Sequence, residues 1–215
     1  MSIILTQWMN SKVLLAVLIA YALAGYAAPS PAKLYSDLER HLQSLKALEV
    51  TYEADGTAMQ EGAVSGRMVW VRPDNFLNET PEWTLGETHH GQWRYLKTQN
   101  TLILESKQNE ERWSPESILF DLSKSFRPES VEEQGDGTLV LMLRSSDANV
   151  PGDVSLEFPP ESKVPVELQF RLADGTVTTY RITAWKENQK YDDALFTAPE
   201  VPQENIIDFR TPGQK

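Results

Sequence analysis

Arg72 closes a run, Val64 to Arg72, of β-branched, aromatic and apolar residues flanked by Gly62 on one side and Pro73-Asp74-Asn75 on the other. That composition, with no helical repeat, predicts a strand. Alternation places Met68, Trp70 and Arg72 on one face and Arg67, Val69 and Val71 on the other. Pro73 holds the residue before it in the extended region, so the strand runs through Arg72 and then turns. Two roles are open to a guanidinium in line with two large apolar side chains. It can sit at the strand end with its stem over Trp70 and its charge in water. Alternatively, it can span the mouth of an apolar concavity and donate hydrogen bonds to backbone carbonyls of whatever covers it. Arginine suits that second task, with five donors in a planar fork and a charge that does not titrate away.

Reaction chemistry is poorly represented. The chain has no cysteine, and it lacks a Gly-x-Ser-x-Gly elbow, a His-Glu-x-x-His pair and a glycine-rich phosphate loop. His89-His90 is the only histidine pair; adjacent residues on a strand or loop point to different sides, so metal ligation is not expected. His41 is expected at the edge of a helix, solvated or bordering the core. Asn78-Glu79-Thr80 matches a glycosylation sequon, and Glu132-Glu133 reads as solvated loop. The chain is expected to provide a cavity, with no catalysis, no metal and no cofactor.

The elements that must position Arg72 follow from the rest of the chain. Residues 1–27 carry the composition of a secretory signal: Lys12, an apolar run from Val13 to Ala24, and the small residues Gly25 and Ala27 at the −3 and −1 sites. Cleavage near Ala27 leaves 188 residues, 28–215, as a single domain with a net charge of −12 in place of −11. That balance argues against nucleic acid and against adsorption to anionic membranes. Without cysteine there is neither a disulfide nor a site for lipid attachment at a mature N-terminus.

Pro31 to Leu48 reads as an amphipathic helix, with Leu34, Leu38, Leu42, Leu45 and Leu48 at three- and four-residue spacing. Beyond it the pattern is of strands joined by turns: Glu49 to Ala58, the Arg72 strand, Phe76 to Trp83, Gln92 to Tyr95 with Thr101 to Glu105, Thr138 to Arg144, Val154 to Phe158, Val164 to Leu172 and Thr176 to Trp185. One interruption, Ser114-Pro115-Glu116 ahead of Ile118, Leu119, Phe120 and Leu122, carries helix-start signals. Two helical pieces over one curling antiparallel sheet describe a half-barrel with a helical lid.

Four segments together resemble the outer-membrane lipoprotein carrier family, the LolA-type periplasmic chaperones. They are the leucine-rich helix after the signal, the Trp70-Val71-Arg72-Pro73 strand end with Phe76 beyond it, Gly91-Gln92-Trp93-Arg94-Tyr95, and the tail Phe196-Thr197-Ala198-Pro199 with Ile206-Ile207-Asp208. The third segment is one residue short of the family pattern. The resemblance implies an incomplete antiparallel barrel of about eleven strands with a helical lid over an apolar cavity. It implies Arg72 as the latch, holding the segment near Pro115 to Leu122. Met68, Trp70, Phe76, Trp93 and Tyr95 would line the cavity, and Leu38, Leu42, Ile118, Leu119, Phe120 and Leu122 would form the lid. The implied function is that of a periplasmic, monomeric chaperone that takes acylated lipoproteins from an inner-membrane releasing ABC transporter to an outer-membrane acceptor. Family relatives that bind a glycolipid or another lipid, or that sense lipoproteins, are the alternative.

Overall fold

The computed structural model describes residues 28–57, 62–106, 126–146 and 152–210. Its centre is β1 (Ala47–Gly56), which pairs on one side with β2 (Val64–Val71) and on the other with β11 (Val177–Glu187). From β2 the sheet continues outward through β3 (Asn75–Glu79), β4 (Trp83–Thr88), β5 (Gly91–Leu96) and β6 (Thr101–Glu105), each antiparallel to the last. From β11 it continues through β10 (Glu167–Arg171), β9 (Asp153–Phe158), β8 (Leu139–Ser145) and β7 (Phe126–Glu133). The short β12 (Ile206–Asp208) adds to β6 in parallel, the one departure from antiparallel pairing among these strands. The two ends of the twelve-stranded sheet, β12 and β7, do not pair with each other, so this is a half-barrel.

The helix α1 (Pro31–Ser44) lies over one face of the sheet. Ser30 caps it by accepting from the Lys33 amide, and Pro31 occupies the first turn, where a missing N–H costs nothing. The helix stops four residues short of the expected end at Leu48. Leu45 is already extended, and Leu48 belongs to β1, opposite Trp70. The leucines still share one core, because helix and strand face each other across the turn.

Alternation divides the sheet's apolar residues between two cores. On the concave side, Leu38, Leu42, Leu45 and Leu48 pack with Val50, Tyr52, Met68, Leu141, Leu156 and Phe158, with Trp70 and Phe76 at the border. On the convex side, Val69, Leu77, Trp93 and Leu102 pack under Phe196, which belongs to a C-terminal strap that crosses the back of the sheet. Among the described residues no helix is long and apolar enough to cross a membrane. The signal-like residues 1–27 and the segment Ser114 to Ser123 lie outside the described residues.

Candidate functional site

Arg72 follows β2 directly and reaches α1. Its Nε donates to the Leu45 carbonyl at 2.9 Å, its Nη2 donates to the Leu42 carbonyl at 3.2 Å, and its backbone N–H donates to Lys46 at 2.9 Å. The Leu42 and Leu45 carbonyls stand at the helix C-terminus, where the macrodipole favours a cation and where Leu42 also accepts from the Leu45 N–H at 3.2 Å. The early end of α1 is what makes them available. Arg72 combines features of both roles: it stays exposed at the strand end, and its guanidinium donates to the backbone that covers the sheet. The described element that it grips is α1; Ile118, Leu119, Phe120 and Leu122, expected in the lid, lie outside the described residues.

The last turn of α1 is held from its other side as well. His41 Nε2 and Glu187 Oε1 lie 2.7 Å apart, and the same oxygen accepts from the Trp185 indole N–H at 2.8 Å. Burial pushes the Glu187 carboxyl up, but the hydrogen bonds from Trp185 and His41 outweigh it and hold the group below its ordinary value. Nearer the helix start, the Tyr35 hydroxyl donates to the Phe126 carbonyl of β7 at 3.1 Å. Burial first, then the Glu39 charge, push the Tyr35 phenol up to about 12. His41 therefore has a defined partner at the helix edge, one that helix periodicity could not name because Glu187 is 146 residues away in sequence.

Beneath α1 the concave face is closed. Leu38 and Leu42 are buried against the sheet, Met68 is buried beside them, and Trp70 packs on Phe76 with ring centroids 4.9 Å apart. A notch of about 10 Å³ between Leu45, Leu48, Trp70 and Arg72 has room for about one water. In this arrangement α1 and the core side chains fill the concave face of the described residues.

Trp93 and Tyr95 are not part of that face. Register carries Val69 to Leu77, Gly86 and Trp93, so Trp93 lies on the convex side, with Tyr95 two residues on sharing its face. The Trp93 indole lies over Gly86, where any Cβ would collide with it, and its N–H donates to the Phe196 carbonyl at 2.9 Å. The Tyr95 hydroxyl donates to Asn100 Oδ1 at 2.9 Å. His89 and His90, expected to diverge, instead stack at the exposed β4–β5 turn with centroids 3.6 Å apart.

The convex side also contains a charge cluster that the sequence reading missed. Glu49, on β1, is buried and accepts from Arg67 Nη2 at 2.7 Å, Lys186 Nζ at 2.7 Å and the Tyr191 hydroxyl at 3.1 Å. Burial raises its carboxyl, but these partners prevail and lower it to about 2. The same Tyr191 phenol is pushed up to about 12, by burial and then by the hydrogen bond to Glu49. A residue of the strap thus completes the cluster, and only the sheet register could have brought its members together.

No protein-family model and no curated protein matches the chain. Solved structures similar to it include LolA superfamily proteins. One, from Nitrosomonas europaea, is 12% identical, with 80% of this chain and 99% of that chain covered and a TM-score of 0.43. A domain from Vibrio parahaemolyticus assigned to outer membrane lipoprotein sorting is 12% identical, with 76% and 94% covered and a TM-score of 0.45. A DUF1329 family protein from Desulfovibrio piger is 11% identical, with 79% and 98% covered and a TM-score of 0.48.

Proposed function

We propose that this protein is a carrier of acyl chains, which lodge on the concave face once α1 moves aside, and that its cargo is an acylated lipoprotein. The observation that supports this most directly is the grip of Arg72 on the Leu42 and Leu45 carbonyls, a polar fastening at the rim of an interface whose centre is apolar. Burying an acyl chain yields about 0.8 kcal/mol per methylene, so three long chains represent on the order of 30 kcal/mol of apolar exposure that must be hidden in water. A carrier without a nucleotide must also release that load. Rim hydrogen bonds serve both ends: they close over the empty apolar face, and breaking them on loading leaves an open state of higher energy that favours handover.

In this reading the chain is exported to the compartment between two membranes, receives lipoproteins from an inner-membrane releasing transporter and gives them to an outer-membrane acceptor. Arg72 is the latch, α1 with Leu38 and Leu42 is lid, and Met68, Trp70 and Phe76 are the floor. Incubating the protein with inner-membrane vesicles that contain labelled lipoproteins, their transporter and ATP tests it. Labelled lipoprotein should appear in the soluble fraction bound to this chain, and Arg72→Leu should impair its transfer to outer membranes. Release of free lipid alone, or of nothing, would overturn the lipoprotein reading.

A further inference from the structure

Among the described residues, a buried carboxamide lies on the concave face beside the apolar side chains of β1 and β2. Asn78, in the middle of β3, is fully buried and stands in register between Met68 on β2 and Leu85 on β4. Its Oδ1 accepts from the Tyr52 hydroxyl at 2.9 Å, while its Nδ2 has no hydrogen-bond partner among the described residues. Its burial also removes the sequon Asn78-Glu79-Thr80 from consideration as a modification site in the folded protein.

The surroundings are arranged to hold that amide in place. Tyr52 comes from β1, two strands away, and reaches Asn78 because Gly66 lies between them on β2, where any Cβ would collide with the tyrosine ring. Tyr52 is in turn packed on Tyr180 with centroids 5.3 Å apart, and Tyr180 meets Phe170 edge-on at 5.7 Å. Three aromatic rings and a glycine thus fix one carboxamide, with its acceptor satisfied and its donor unpaired.

An unpaired buried donor costs about 1–3 kcal/mol, which a ligand acceptor recovers on binding. Hydrophobic burial has no direction, so an apolar face alone cannot fix how deep a hydrocarbon chain lies or which end leads. A single hydrogen-bond donor can. We infer that Asn78, oriented by Tyr52, is a binding contact for the carbonyl oxygen at the head of an acyl chain, whether ester or amide. This rests on the acyl-carrier reading and adds to it that the site distinguishes acyl from alkyl chains. Tyr52 is a positioning residue here, and Asn78 makes the contact.

The test compares dipalmitoylglycerol with its dihexadecyl ether analogue, both delivered from cyclodextrin to the full-length protein. The two have chains of matched length and differ in having or lacking carbonyls. The wild type should bind the ester roughly tenfold more tightly, as expected for one recovered hydrogen bond. Its bound, isotopically labelled carbonyl should absorb at lower infrared frequency than in hydrocarbon. Asn78→Leu should bind both lipids at the level of the ether. Equal binding of the two lipids by the wild type, with an unshifted carbonyl band, would overturn the inference while leaving the carrier reading standing. A folded Asn78→Leu that keeps the preference would also overturn it. Binding of neither lipid would defeat the carrier reading itself, and this inference with it. The wild-type comparison and the infrared band need no variant, so a misfolded Asn78→Leu does not weaken the test.

Discussion

The two faces of the sheet are covered by different means. On the convex side the C-terminal strap is fastened at its centre: its Phe196 is buried against the sheet, the Phe196 carbonyl takes the Trp93 indole N–H, and Tyr191 joins a buried carboxylate already held by Arg67 and Lys186. On the concave side α1 is apolar at its centre and fastened at its ends, by Arg72 and His41 at the last turn and Tyr35 near the first. Removing the strap would take one of three partners from a buried carboxylate, uncover the apolar seat of Phe196 and leave an indole N–H unpaired. Lifting α1 breaks a few hydrogen bonds whose members at the rim can turn to water. One cover is anchored by buried polar groups; under the proposed function the other comes off, and a lipid chain takes the place of its buried apolar face.

Substitutions should divide along that line. The largest effect is expected from Trp93→Ala, at about 3–5 kcal/mol of global stability in urea unfolding, through the lost volume and the orphaned Phe196 carbonyl. A loss under about 1 kcal/mol would mean the strap is not a structural cover. Glu49→Ala should follow at about 1–2 kcal/mol, since it removes the shared acceptor of Arg67, Lys186 and Tyr191 while the two partly exposed cations can turn to water. The pH dependence has a definite sign. A carboxyl lowered from 4.5 to about 2 on folding contributes stability that is full above the unfolded value and is lost as pH falls toward the folded one. Glu49→Gln should therefore flatten the loss of stability in that window, and an unchanged acid limb would assign it to other groups.

Effects on the concave side should be smaller globally and larger locally. Arg72→Leu should cost about 1–2 kcal/mol at most while speeding hydrogen exchange in the last turn of α1 about tenfold. Global unfolding of this variant would make Arg72 a structural residue and erase the contrast. The smallest effect is expected at the His41 clasp. Glu187 is held below its ordinary value, so its contribution to closure is present above the ordinary carboxylate range and is lost as pH falls through its lowered value. The Trp185 indole N–H resonance should report that titration, with its midpoint moving upward in His41→Ala. A midpoint that does not change with this substitution would remove His41 from the clasp.

The local parts of this arrangement were legible in sequence, and the long-range parts were not. Strand alternation was enough to put Met68, Trp70 and Arg72 on one face, and leucine spacing was enough to find α1. The end of α1 was misplaced because Leu45 and Leu48 keep the helical spacing while belonging to a turn and a strand, and pairing with β2 and β11 decides which. Trp93 and Tyr95 were assigned to the wrong face because parity must be counted across two turns and β4, and one residue of turn length reverses it. Gly86 was the available signal, a small residue that makes room for the Trp93 ring. β7 is absent from the sequence pattern: Glu132-Glu133 reads as solvated loop, and pairing with β8 makes the segment a strand. Glu49, Asn78 and Glu187 find their partners through sheet register, which a single sequence does not display.

The most direct test of the central claim is amide hydrogen exchange on the full chain, empty and loaded with a triacylated lipopeptide, comparing α1 with the strap around Tyr191 to Phe196. If α1 is a removable cover, loading should raise exchange in residues 41–46 and leave the strap unchanged. If loading leaves α1 as protected as before, or opens the strap instead, the chain is not a carrier that works by lifting α1 from the concave face.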